Sequence, residues 1–195
     1  MGNLKRFRLI NETEKGIIFT SVKNISVKLY QFLRENYNNL YILISKPKEN
    51  FQYPKVYFVP NKLIATIRKI IEHCIVKSGG LYLGFIKKGQ LRISIEAIEY
   101  YLSNHPQVFS DLQKINLTAE GEKSFLYGNN IQRDMILNIS PTLLKQRFLI
   151  VLNSLNELIG IALLKGNLPS LEKLNPDDIV AINLQDKGYY LRKAQ

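Results

Sequence analysis

The sequence predicts an α+β protein of two domains: an N-terminal mixed α/β domain over residues 1–112 and a small, partly closed β barrel over residues 113–195. Three observations lead there. The first half alternates between helical and strand periodicities. The second half strings short apolar segments between polar turns, with one embedded helix. The charge changes at the same place: residues 1–112 hold 17 Lys/Arg against 8 Asp/Glu, a net +9, and residues 113–195 hold 10 against 8, a net +2. The junction falls near Asn104–Pro106 and the polar stretch Ser110–Lys114. With 195 residues, 46% of them apolar, the chain can bury a sizeable core.

In the first half, Val22, Ile25, Leu29, Phe32 and Leu33 recur at helical spacing, with Ser21 or Asn24 as the N-cap. Leu40–Ser45 is a continuous apolar run and reads as a buried strand; Lys55–Val59 reads as a second strand, closed by Pro60. Asn61 then caps a helix whose apolar stripe is Leu63, Ile64, Ile67, Ile70, Ile71, Cys74 and Ile75, with Gly79–Gly80 as its stop. Leu81–Ile86 and Leu91–Ile93 form a hairpin about Gly89, and a short helix runs from Ile95 to Leu102. In the second half the strands are Lys114–Leu117, Phe148–Leu152, Leu158–Leu164, Ile179–Leu184 and Tyr189–Arg192, with a short helix near Gly128–Met135. Sheets this small must close or cover their edges, which favours a barrel.

The residue inventory argues against catalysis. Cys74, His73 and His105 are the only Cys and His residues, so a Cys/His zinc site cannot be assembled and Cys74 cannot form an internal disulfide. No phosphate-binding glycine loop, nucleophile elbow or metalloprotease helix motif occurs. His73 shares a polar helical stripe with Lys62 and Lys69, His105 reads as a turn residue, and Cys74 reads as a small core residue. Asp177–Asp178, beside Asn175–Pro176, reads as the solvated start of a strand rather than an acid/base pair. Met1–Ile10 lacks an apolar run after its basic residues, and Phe148–Leu164 is interrupted by Asn153, Ser154, Asn156 and Glu157, so neither a leader nor a membrane span is expected. The expected location is cytoplasmic, or nucleolar in a eukaryote, and the expected state is monomeric, with no cofactor and no metal.

The positive signal is electrostatic. A net charge of +11 with 11 Tyr and 9 Phe suits a polyanion with unpaired bases, because cations neutralise phosphates and rings stack on bases. The C-terminal run Lys187-Gly188-Tyr189-Tyr190-Leu191-Arg192-Lys193 packs three cations and two tyrosines together. On a strand, Tyr190 and Arg192 share the outward face. Lys165 and Lys173 flank a loop between two strands of the same half. The expected RNA contacts are therefore Lys165, Lys173, Lys187, Tyr190, Arg192 and Lys193; the bland alternative is solubility.

The run Ser124-Phe125-Leu126-Tyr127-Gly128-Asn129 resembles the SFLYGN signature of the Nip-seven family of large-subunit ribosome biogenesis factors. Val56–Val59 ahead of Asn61, Leu91–Ser94 through Ala97–Leu102, and Lys187–Arg192 resemble further segments of that family. The likeness runs from about residue 20 to the C-terminus, with extra residues at the N-terminus, near Pro47–Pro54 and between Gly160 and Asn175. It implies an N-terminal α/β domain followed by a PUA-like β pseudobarrel that binds RNA. It also implies a role in pre-rRNA processing and large-subunit assembly, with partners among pre-ribosomal factors such as the Shwachman–Bodian–Diamond protein family and exosome components. Within SFLYGN, Phe125 and Leu126 would anchor the barrel, and Gly128 would sit at a strand-to-helix turn whose helix N-terminus attracts phosphate. Two rivals differ in class. A PUA-containing RNA-modifying enzyme, related to pseudouridine synthases or tRNA guanine transglycosylases, needs a catalytic Asp in a larger cleft domain. A protein-only adaptor would carry its positive charge incidentally.

Overall fold

The computed structural model describes residues 7–44, 53–139, 148–166, 171–189 and 192. The chain divides into two compact units, Met1–Phe109 and Ser110–Gln195.

The first unit is an antiparallel sheet of β1 (Phe7–Leu9), β2 (Leu40–Leu43), β3 (Lys55–Phe58), β4 (Leu81–Lys87) and β5 (Gln90–Ile93), in that spatial order. Its helices are α1 (Glu12–Ile25), α2 (Val27–Glu35), α3 (Asn61–His73) and α4 (Ile95–Asn104). Helix α3 sets Ile64, Ile67 and Ile71 against Phe7, Tyr41, Tyr57 and Val59. Helices α1 and α4 lie against β5 and β4. Ile18, Val22, Leu29, Leu33, Leu91, Ile93, Ile98 and Tyr101 are all buried.

The apolar series from Val22 to Leu33 belongs to two helices rather than one. Ser26 is extended, at φ −147°, and its hydroxyl accepts the Leu29 N–H of α2 at 2.9 Å. Helix α1 starts earlier than the apolar pattern suggests, because Asn11 and Glu14 form a reciprocal capping box. Asn61 does not cap α3; its side-chain oxygen accepts from Asn39 Nδ2 at 2.7 Å, and Pro60 holds the cap position. Helix α3 stops at His73, short of Gly79–Gly80, because Cys74 turns to φ −131°, ψ 155°. Cys74 and Ile75 are therefore exposed rather than part of the core stripe.

The second unit contains β6 (Gln113–Leu117), α5 (Ala119–Leu126), β7 (Ile131–Gln132), β8 (Ile136–Ile139), β9 (Phe148–Leu152), β10 (Leu158–Leu164) and β11 (Ile179–Asp186). The sheet order is β7-β11-β10-β9-β6-β8, with β6 and β9 parallel and the other pairs antiparallel. Strands β7 and β8 sit at opposite ends of that order, yet only the 3₁₀ turn Arg133–Met135 separates them in the chain. So short a link brings the two edges of the sheet together, and the sheet curls into a pseudobarrel. Its core is Ile115, Leu117, Phe125, Ile131, Leu149, Val151, Ile159, Ala162, Val180 and Ala181.

Two expectations change here. The helix expected over Gly128–Met135 is only the 3₁₀ turn, and the helix proper, α5, precedes it. The strand expected over Tyr189–Arg192 is not continued at its described residues: β11 ends at Asp186, and Arg192 N donates to Gly188 O at 3.1 Å, a helical contact. Among the described residues no helix is long and apolar enough to cross a membrane.

Candidate nucleic-acid interface

The site is organised by the last turn of α5. Thr118 caps this helix, its hydroxyl accepting from Gly121 N at 3.0 Å, and Glu120 and Glu122 complement the N-terminal dipole. At the other end Gly128 N donates to Phe125 O at 2.9 Å and Asn129 N to Ser124 O at 3.3 Å, a Schellman closure. That closure needs a left-handed residue, and Gly128 has φ +94°. SFLYGN is thus a helix C-terminus, not a strand-to-helix turn. Its dipole end is negative, so the expected attraction of phosphate to a helix N-terminus does not apply at Gly128.

The exposed carbonyls of this turn are met by β11 and the residues after it. Asn183 Nδ2 donates to Phe125 O at 3.0 Å and to Asp186 Oδ2 at 3.2 Å. Arg192 donates to Leu126 O and forms a two-pronged pair with Asp186, Nη1 and Nη2 each 2.9 Å from a carboxylate oxygen. Asp186 is only 3% exposed, so the carboxylate side of this pair lies out of water. The hydrogen bond to Asp186 in turn raises the Arg192 pKa above its ordinary value. Gly188 lies so close to the Leu126 carbonyl that a Cβ there would be 1.9 Å from the oxygen. The SFLYGN segment and the Gly188-to-Arg192 segment, far apart in the chain, are therefore two halves of one clasp.

This geometry redistributes the expected RNA contacts. The guanidinium of Arg192 is committed to Asp186 and Leu126, so it supports the surface rather than standing out from a strand. Lys187 is half-buried beside the clasp, and its backbone N donates to Ile159 O at 2.9 Å. Lys165 and Lys173 are exposed, but they lie in the connection at the other end of the β10–β11 hairpin. Leu164 pairs with Ala181 there, whereas Gly160 pairs with Asp186 at the clasp end. At about 3.3 Å per residue the two ends are roughly 15 Å apart, so the lysines do not form one patch. Tyr190 and Lys193 lie outside the described residues.

Other residues answer more simply. Asp178 Oδ2 accepts Asn175 N at 2.8 Å, a turn ahead of β11. His105 ends α4 and packs beside Phe32, Tyr100 and Tyr101. Among the described residues no group of three His, Cys, Asp or Glu is placed to hold a metal. Sequence reasoning missed Tyr127, 66% exposed at the end of α5, and the roles of Asn183 and Asp186. The signals were present in the glycine just past an apolar helix and in an acid closing an apolar strand. The arrangement presents the exposed Tyr127 and Tyr189 beside the hydrogen-bonded clasp.

Residues 113–195 match the family model described as the UPF0113 PUA domain. Over that stretch the unit resembles a PUA domain, in keeping with its pseudobarrel fold. Over most of its length the chain also resembles the 60S ribosome subunit biogenesis protein NIP7. It is 24% identical to the Schizosaccharomyces pombe protein, over 87% of this chain and 92% of that one. It is 25% identical to the Saccharomyces cerevisiae protein, over 95% and 96%. The Dictyostelium discoideum homolog is 26% identical, over 87% and 92%. A conserved PUA domain protein from Thermoplasma acidophilum shares the fold at a TM-score of 0.52 and 12% identity, over 96% of this chain and 98% of that one. A hypothetical protein from Pyrococcus horikoshii does so at a TM-score of 0.58 and 7% identity, over 95% and 98%. The clasp thus lies within the PUA-like unit, joining its α5 terminus to the end of its β11 strand.

Proposed function

We propose that this chain is an RNA-binding factor that performs no bond chemistry and acts in assembly of the large ribosomal subunit, holding pre-rRNA through its PUA domain. One observation carries the reading: residues 113–195 match a PUA domain model, in a chain that aligns with 92–96% of the length of NIP7 biogenesis proteins. The clasp supplies a rigid base on which Tyr127 and Tyr189, 66% and 42% exposed, lie one residue beyond the contact of Leu126 with Gly188. In this reading Lys187 meets RNA at the clasp end, Lys165 and Lys173 meet it at the opposite end, Arg192 holds the clasp closed, and Tyr190 and Lys193 are further RNA contacts.

By the same resemblance, its partners include pre-ribosomal factors of the Shwachman–Bodian–Diamond family and exosome components, and it works where large subunits mature. The test is sedimentation of the tagged chain in an extract of its source organism. Co-migration with large-subunit precursors, released by ribonuclease, is expected. Migration as a free protein, or retention on particles after ribonuclease digestion, would overturn the RNA-held reading. The latter outcome favours the protein-only adaptor.

A further inference from the structure

Among the described residues, one face of the five-stranded sheet is covered across only part of its width. A row of directly paired residues crosses all five strands: Phe7, Leu43, Lys55, Phe85 and Arg92. Paired residues share a face. Phe7 and Leu43 belong to the cluster that receives the isoleucines of α3. At the other end of the row, Lys55 and Phe85 are half-buried and Arg92 is exposed. Leu91 and Ile93, flanking Arg92 in β5, are buried, so alternation turns Arg92 away from that core.

The uncovered end is chemically distinctive. Tyr53, 41% exposed, stacks on Phe85 with ring centroids 5.5 Å apart and planes 23° from parallel. Lys87, two residues beyond Phe85 on β4, places Nζ 5.1 Å from the centroid of the Tyr53 ring. Lys55 and Arg92 stand on the strands either side of Phe85, roughly 10 Å apart. Neither has a carboxylate partner among the described residues. A ring pair with its outer ring, Tyr53, exposed and cations on three adjacent strands around it is a stacking platform with phosphate-binding groups.

We propose that Tyr53, Phe85, Lys55, Lys87 and Arg92 form a second binding site, outside the PUA domain, for an unpaired RNA strand: a base stacks on the Tyr53–Phe85 pair while the cations take the flanking phosphates. That the strand is RNA rather than DNA rests on the function proposed above; the site itself does not. Oligouridine RNA carrying thiouridine is photo-crosslinked to the full unmodified chain, and the attached peptides are identified. Crosslinks are expected in the peptides holding Tyr53 and Phe85. Their yield should fall about tenfold in Tyr53→Leu, as loss of one stacking ring implies. It should fall likewise in Lys55→Gln/Lys87→Gln/Arg92→Gln, with the yield from residues 113–195 unchanged in both variants.

Crosslinks confined to residues 113–195 would overturn this site and leave the PUA reading standing; an acidic protein would then be the partner to seek for the patch. Crosslinks at Tyr53 and Phe85 with none in residues 113–195 would support this site and overturn the PUA reading. Crosslinks nowhere would overturn both. The crosslink map of the unmodified chain decides even if a variant misfolds.

Discussion

Removing the Arg192 side chain has two consequences, because its guanidinium serves two partners. It leaves the buried Asp186 carboxylate without its cation and the Leu126 carbonyl without its donor. Arg192→Ala is therefore expected to lower the melting temperature, read by circular dichroism. Arg192→Lys is expected to fall well short of restoring it, since one ammonium cannot reproduce a planar fork that meets both carboxylate oxygens and a carbonyl. A fully stable Arg192→Ala variant with weakened RNA binding would return Arg192 to the set of direct contacts. Gly128 sits within the same device: a Cβ there would be 3.3 Å from Arg192 Nη2, on a backbone that already has φ +94°.

Helix α1 is fixed at its start by more than a cap. Asn11 accepts from Glu14 N and donates its own N–H to Glu14 Oε2, each at 2.9 Å. Arg8 from β1 meets the same carboxylate at 2.8 and 2.7 Å, tying strand to helix. Burial works to raise the Glu14 pKa, but the Arg8 hydrogen bonds, the Asn11 N–H and the Arg8 charge together hold it below its ordinary 4.5. A carboxylate with a lowered folded-state pKa contributes stability above its unfolded value and loses it as pH falls through the folded value. Glu14→Gln should thus cost up to about 1 kcal/mol near neutrality, and the gap to the unmodified protein should close as pH falls from the ordinary carboxylate value through the lowered folded one. Urea unfolding at a series of pH values measures it; a gap that does not change with pH would remove Arg8–Glu14 from the stability of the unit.

For the molecule as a whole, the informative quantity is the salt dependence of RNA affinity. Each cation that meets a phosphate of a single strand adds roughly 0.7 to the slope of log affinity against log salt. Lys165→Gln/Lys173→Gln should lower the slope by about 1.4 and Lys187→Gln by about 0.7. The two effects should add, because the residues lie at opposite ends of the β10–β11 hairpin. Slopes unchanged in both variants would show that these lysines serve solubility alone.

Patterns carried by consecutive residues were legible before any coordinates. Strands β2, β3, β9 and β10, the β4–β5 hairpin and helix α4 follow from apolar runs and turn residues within a few positions of where they form. Helix α5 escaped notice because it has only 8 residues, too few for a periodic stripe, and the extent of α1 escaped because its start is set by a capping box rather than by apolar spacing. The strand expected over Tyr189–Arg192 rests on alternation alone; β11 ends at Asp186, and the described Tyr189 and Arg192 lie outside any strand.

Local order, overall charge and the SFLYGN likeness were thus settled by the amino-acid string, since each depends on neighbours in the chain. Which cations stand together was decided only in three dimensions. Strand pairing sets Lys55 beside Phe85 and Arg92, and it carries Lys165 away from Lys187. A buried carboxylate turns Arg192 into a brace, because a charge taken out of water must find its counter-charge wherever the fold brings one within reach.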